Sequence, residues 1–295
     1  HQCHVVVGFG RSKGEQVRWD FVSGSNVIKI QAPQAYFRSM CYSAKSLKTA
    51  ALKRAVHAGD KAIAAQLRTE LEELPGLAGR VYVSAFEHPA LVGFTDSEPY
   101  RPQLLTWGLI PAWTKDDAQA KKLRVQPLNA RGESIFEKPA FRKSAMDKRC
   151  LIFVNGFYEH QHFMKRTYPW FIHVKGREAF ALAGLWEEWR DPASGIAQRT
   201  FSIVTTAGNA LMAKIHNNPK LDGPRMPLIL PAELEDEWLR PIADERDVER
   251  IKQLVLPFPE AEMEAHTVRP LLGKAAGSDQ GKASDPFEYP ELAFA

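Results

Sequence analysis

The sequence predicts a mixed domain with helix and strand segregated along the chain, and three stretches carry that expectation. Residues 46–74 read as helix, residues 80–110 change to short β-rich runs followed by strands as far as 200–206, and residues 232–239 and 245–254 read as helices. The first helix is rich in Ala, Leu, Lys and Glu. Ile63, Leu67, Leu71 and Leu74 fall on one stripe of it, a break is expected near Gly59, and Pro75-Gly76 ends it. Runs at 81–83 and 104–107 then read as strands separated by Pro and Gly. Trp107 and Trp113 flank a turn; each is either a core residue or an exposed ring able to stack on a base. Residues 128–133 read as a strand end entering a helix, with Asn129 at the cap and Glu133 in the first turn.

Residues 150–154 form a near-continuous apolar run, the pattern of a buried strand, and deliver Glu159 near its end. A carboxylate so close to apolar walls suits proton transfer; the alternative is a surface residue on the alternate face. Strands are expected at 168–174, at 180–189 after a turn at Gly176, and at 200–206. A short helix around Asn209 leads to His216, which opens a loop bearing Pro and Gly that ends at Arg225. Helices at 232–239 and 245–254 and a strand at 264–268 complete the order. The tail after Lys274, rich in Gly, Ser and Asp, reads as flexible.

Hydrophobic content of 44% and charged content of 25% exclude a disordered or fibrous chain. No apolar run reaches the length of a membrane span, and no secretory signal is legible. The cysteines Cys3, Cys41 and Cys150 make neither a disulfide framework nor a metal cluster, and a reducing intracellular compartment follows. There is no P-loop, no GxGxxG and no metal-ligand spacing, so no cofactor is expected. The net charge is only +4, but residues 121–149 hold nine basic side chains against three acidic ones. Such a strip can meet phosphates; a solvated charged face is the plainer reading.

The dipeptide Met40-Cys41 points to a specific chemistry. Residues 1–39 contain no other methionine and no sustained period, so translation is expected to start at Met40. Removal of that methionine would put a free α-amine and a thiol on Cys41. An α-amine titrates near ~8 and a lysine near ~10.4, so its neutral fraction at pH 7 is roughly a few hundred-fold larger. Such a 1,2-aminothiol forms an imine with an aldehyde and then closes a thiazolidine. An ordinary buried cysteine after an internal methionine is the other reading.

Taken in order, Met40-Cys41, Trp107-Gly108-Leu109-Ile110-Pro111, Asn129-Ala130-Arg131-Gly132-Glu133, Gly156-Phe157-Tyr158-Glu159, and His216 with Arg225-Met226-Pro227 resemble the SOS response-associated peptidase (SRAP) family, the abasic-site-processing proteins. The resemblance implies one α+β domain over residues 40–273, an antiparallel barrel-like β core flanked by helices, with 1–39 foreign to the family and 274–295 a flexible tail. It implies covalent capture of abasic sites in single-stranded DNA by an N-terminal cysteine, with self-processing peptidase and abasic-site lyase as accompanying candidate activities. Its catalytic residues fall on Cys41, Asn129, Glu159 and His216, and its DNA contacts are expected at Arg131, Trp107 and Thr206. The expected partner is single-stranded DNA carrying abasic sites, bound by a monomer in the cytoplasm or at the nucleoid, with no membrane.

Three departures stand out. Residues 1–39 would block the α-amine if retained, Tyr42-Ser43 replace a common Gly-Arg and so remove one phosphate-binding arginine, and extra residues separate His216 from Arg225. The rival reading is a cysteine peptidase in which Cys41, His216 and Asn129 act as a Cys-His-Asn set. A noncatalytic single-strand binder using the basic strip is a third, and it leaves Cys41 and Glu159 without a task.

Overall fold

A computed structural model describes residues 19–23, 26–30, 39–41, 54, 82–271 and 283–294. The chain falls into two units, residues 1–35 and 36–295. In the first, β1 (Trp19–Ser23) and β2 (Asn26–Ile30) pair antiparallel. The region that shows no sustained period in the sequence therefore contains a hairpin, built from β-prone Phe21, Val22, Val27 and Ile28.

The second unit is built on two sheets. Its strands are β3 (Ser39–Cys41), β4 (Tyr82–Ser84), β5 (Ala90–Thr95), β6 (Gln103–Trp107), β7 (Asn129–Arg131), β8 (Arg149–Val154), β9 (Gly156–Phe163), β10 (Arg166–Val174), β11 (Phe180–Arg190), β12 (Ala197–Ala207), β13 (Arg225–Pro227), β14 (Ile229–Leu230) and β15 (Met263–Thr267). Among the described residues its α-helices, besides the helical Arg54, are α1 (Asp117–Leu123), α2 (Arg142–Asp147), α3 (Ala210–Ile215), α4 (Glu235–Leu239) and α5 (Glu245–Gln253). In the larger sheet β12, β6, β5, β8 and β11 follow one another, and β11 pairs again with β12, so five strands close a barrel. Closure leaves no sheet edge on this ring. The β12–β6 and β12–β7 pairings are parallel, and the other pairings of this sheet are antiparallel, as expected of the core. The smaller sheet runs β15-β10-β9-β3-β4 and is antiparallel throughout.

The barrel encloses the apolar core. Every residue of β8 is buried, as its unbroken apolar run requires of a strand covered on both faces. Trp107 stacks on Phe201 with ring centroids 5.9 Å apart, and its Nε1 donates to the Leu128 carbonyl at 2.8 Å. From α4, the buried Trp238 shares its Nε1 between the Cys150 and Gly184 carbonyls. Arg149, fully buried, donates to the carbonyls of Trp238 at 2.7 Å, Ala145 at 2.6 Å and Arg240 at 2.6 Å. Its guanidinium thereby satisfies orphan carbonyls of α2 and α4 and locks both helices to the barrel.

The helix expected over 46–74 lies outside the described residues except at Arg54, which is helical and buried and pairs with Glu235 and Asp236 of α4 at 2.6 Å each. The tail expected to be flexible is in part docked. Phe287 N–H donates to the Thr267 carbonyl at 2.8 Å, Tyr289 Oη to the Val268 carbonyl at 2.8 Å, and Tyr289 packs edge-on against Tyr168.

Gly156 marks where the smaller sheet is tightest. A Cβ there would lie 2.4 Å from the Phe171 ring and 2.7 Å from the Ile172 carbonyl, and that carbonyl is main chain that cannot rotate away. Gly156→Ala should therefore destabilise the domain by about 1–3 kcal/mol, the range for overpacking. Denaturant unfolding measures this, and an unchanged midpoint would mean that the strand contact is looser than this geometry.

Candidate functional site

Glu159 and His216 meet where the two sheets adjoin. Glu159 lies in the middle of β9, opposite Trp170 of β10, and not at the end of the β8 run as the sequence reading has it. The carboxylate accepts from the His160 N–H at 2.9 Å through Oε1 and turns Oε2 to His216 Nε2, 3.8 Å away. His216 follows the last turn of α3, whose first turn is capped by the Asn209 side chain accepting from the Met212 N–H. The imidazole is buried, with 3% of its side chain exposed against 13% for Glu159. Its Nδ1 accepts the Arg225 N–H at 3.2 Å, so the neutral ring carries its proton on Nε2, toward the carboxylate.

Cys41 enters on the same strand system. Its main chain pairs with Gly156 of β9 on one side and Tyr82 of β4 on the other. β3 pairs with β9 from Gly156 to Tyr158. Further along β9, Asn217 bonds to the main chain as a strand would, its Oδ1 accepting the His162 N–H at 2.7 Å and its Nδ2 donating to the His162 carbonyl at 3.0 Å. The residue after His216 is thereby fastened to the strand of Glu159.

Asn129 and Arg131 stand on β7, in parallel register with Ile203 and Thr205 of β12. Asn129 is half-buried; the Arg131 side chain is 42% exposed, with Nη1 3.4 Å from Asp222 Oδ2. Gly132 lets this segment pass under Val255, whose Cγ1 would lie 2.4 Å from an added Cβ. Glu133 then clamps Arg225 with two hydrogen bonds, 2.6 and 2.8 Å, while Arg225 Nη2 also donates to the Thr205 carbonyl at 2.8 Å. Since the Arg225 N–H fixes His216, Glu133 positions the imidazole from a distance. The sequence reading treats Glu133 as a first-turn residue and misses this pairing; its signal was the presence of both motifs.

Two expected DNA contacts are corrected. Trp107 is fully buried with its indole N–H bonded inside, so it cannot cover a base, and Trp113, 53% exposed, is the accessible ring of the pair. Thr206 is buried in β12, its hydroxyl directed to the Val255 carbonyl at 3.5 Å. The basic strip is also thinner than its composition: Arg149 is internal and Lys148 pairs with Glu187. Cys150 is a free, buried cysteine whose thiol is pushed well up by burial, with Asp96 adding to it, so it is no nucleophile. Among the described residues no cluster of three or more His, Cys, Asp or Glu could hold a metal ion, and no helix is long and apolar enough to cross a membrane.

A small closed barrel, a second antiparallel sheet and a few helices, with a largely buried carboxylate–imidazole pair, define an α+β domain. The family model described as SOS response associated peptidase (SRAP) matches residues 40–275, and the chain belongs to that family. It is similar to the abasic site processing protein YoqW of Bacillus subtilis, 40% identical over 169 residues that cover 57% of this chain and 69% of that protein. Similarity to the abasic site processing protein YMR114C of Saccharomyces cerevisiae is 28% over 192 residues, covering 62% of this chain and 49% of that one. A crystal structure of a Bacteroides thetaiotaomicron protein superposes with a TM-score of 0.65 at 32% identity, covering 80% of this chain and 93% of that one.

The Glu133 clamp has a pH signature. Burial, the largest single influence, would raise its carboxyl, but the hydrogen bonding from Arg225, a main-chain hydrogen bond and the charges of Arg225 and Arg131 together outweigh it and hold the carboxyl below its ordinary value of 4.5. A carboxyl whose pKa falls on folding adds stability that is complete above the unfolded value and is lost as pH drops through the folded one. Wild type should therefore exceed Glu133→Gln in thermal stability above about pH 5, with the gap closing below about pH 4. The gap should be about 1 kcal/mol at most, because half of the Glu133 side chain is exposed. A gap that persists unchanged at low pH would mean that the clamp does not depend on an ionised carboxylate.

Proposed function

We propose that the chain captures abasic sites in single-stranded DNA covalently, through the α-amine and thiol of Cys41 after the residues before it are removed. The observation that carries this reading is the Glu159–His216 pair, whose carboxylate stands on the strand next to the one that bears Cys41. It is further supported by relatives named abasic site processing proteins and by a family match that begins at residue 40.

The ring-opened deoxyribose presents an aldehyde at C1′. The Cys41 amine adds to that carbon, water leaves with the aldehyde oxygen, and an imine results. The thiol then adds to the imine carbon, its proton passes to the nitrogen, and the thiazolidine is closed. Glu159 supplies and removes the protons of addition and dehydration, and His216 relays them and assists opening of the sugar. Asn129 holds the amine. Arg131 takes a backbone phosphate, which carries no sequence information, and Trp113 covers an unstacked base. β-Elimination from the same imine would nick the strand, and ring closure competes with it. Leader removal at the same site is the peptidase part of the proposal, with Glu159 as its acid–base group.

The test uses two forms of the protein, one starting at Cys41 and one retaining residues 1–40, each verified by intact mass. The Cys41 form should give a heat-stable adduct with abasic single-stranded DNA, and Cys41→Ala should give none. The longer form should bind the DNA without an adduct, because an acylated nitrogen is not nucleophilic at neutral pH. A stable adduct from the longer form, or from Cys41→Ala, would remove the α-amine from the mechanism. Equal peptide cleavage by both forms would favour a thiolate peptidase instead.

A further inference from the structure

Residues 217–224 connect His216 to Arg225 and are fastened at both ends. Asn217 exchanges hydrogen bonds with the main chain of His162, and the Gly208 N–H donates to the Pro224 carbonyl at 2.9 Å. Between these anchors the segment turns on Asn218, whose Oδ1 accepts the Lys220 N–H at 3.0 Å and whose carbonyl accepts the Leu221 N–H at 3.0 Å. The turn presents Asp222 to Arg131, Oδ2 to Nη1 3.4 Å, with 87% of the aspartate side chain and 42% of the arginine side chain exposed. The two partners differ in footing. Arg131 belongs to β7, held in register with Thr205, whereas Asp222 sits on the arc of a loop, followed by Gly223 at φ +78°.

We propose that Asp222 is a specificity-determining residue that occupies Arg131 in the DNA-free protein and yields it to a backbone phosphate when single-stranded DNA enters. The inference rests on the reading of Arg131 as a phosphate contact. An exposed ion pair of this kind is worth roughly a factor of 1.4–5 in an equilibrium constant. A polyanion overcomes that readily, because each phosphate it places on a cation releases condensed counterions. A small free anion releases none and must compete against a carboxylate already tethered beside the guanidinium. Asp222 therefore takes a small share of the affinity of a strand that binds at several points, and a large share of the affinity of an isolated anion that has only this cation.

Fluorescence anisotropy with a labelled single-stranded oligonucleotide tests this on the full chain, comparing wild type, Asp222→Asn, Arg131→Ala and the double variant at about 50 mM and about 300 mM salt. Asp222→Asn should bind roughly two- to fivefold tighter at the lower salt, the gain should shrink at the higher salt, and it should vanish in the Arg131→Ala background. Inorganic phosphate should compete with the oligonucleotide more effectively in Asp222→Asn than in wild type. An unchanged or weaker affinity for Asp222→Asn, or the same gain without Arg131, overturns the proposal; the second result would make Asp222 a general repulsive charge. If Arg131→Ala binds as wild type does, the phosphate reading itself falls. If Arg131→Ala is weaker and Asp222→Asn is not tighter, the inference alone falls.

Discussion

β12 pairs along most of one edge and through the middle of the other, and the placement of Asn129, Arg131 and Arg225 depends on how these edges are shared. One edge pairs with β11 through residues 197–203 and then with β13 through 205–207. The other pairs with β6 at Thr200 and Phe201 and then with β7 at 203–205. The first half of the strand thus closes the barrel, and the second half carries the two short strands that bear Asn129, Arg131 and Arg225. Short strands have little stability of their own. Here each is fixed by a long neighbour whose opposite edge belongs to a closed ring, so functional side chains inherit the rigidity of the barrel.

The acid–base pair needs a different constraint, because its members come from different sheets. Glu159 rides on β9, and His216 leaves α3, which directly follows β12. A carboxylate and an imidazole brought together from separate layers would drift apart without local ties. Two are present: Asn217 extends the ladder of β9, and the Arg225 N–H holds the imidazole while Glu133 and the Thr205 carbonyl hold the guanidinium. Histidine orientation, and with it the proton on Nε2, is therefore set by a chain of hydrogen bonds that ends in the main chain of β12. Such ties matter because the pair stands 3.8 Å apart, already just beyond direct hydrogen-bond distance, and further drift would separate the two groups.

Strands that need no partner to be recognised were legible in the sequence. β8 announces itself because both of its faces are covered and its apolar residues run together. β9 was read as a segment leading out of β8, since Glu159, His160, Gln161 and His162 have poor strand propensity and owe their conformation to pairing with β10. The parallel closure of the barrel was not legible either, because it joins β6 to β12 across a long stretch of chain. Of the two tryptophans, sequence could not say which one finds an internal acceptor. Trp107 has the Leu128 carbonyl, and Trp113 is left exposed. The motifs did identify Glu159 and His216, which the fold brings together, whereas the part played by Glu133 needed the structure, since nothing in an acidic residue at a turn discloses an arginine 92 positions away.

The charges carry one further step. Arg54, Arg149 and Arg225 are buried, and each guanidinium is spent on carboxylates or carbonyls inside the domain. Such groups cannot attract a polyanion, since their fields are matched at short range by fixed partners. Lys121 and Lys143 pair along their own helices with Asp117 and Asp147, contacts at 2.6 and 3.7 Å on exposed side chains that are worth little and screen readily. The cationic surface that composition suggests is thus smaller in the folded chain than in the sequence. Under the proposed capture of DNA, affinity for a phosphate backbone would depend on a few exposed positions, and Arg131 is set apart among them by its place on β7, one residue removed from Gly132 and two from the Glu133 clamp; its accessibility would then matter more than the overall charge.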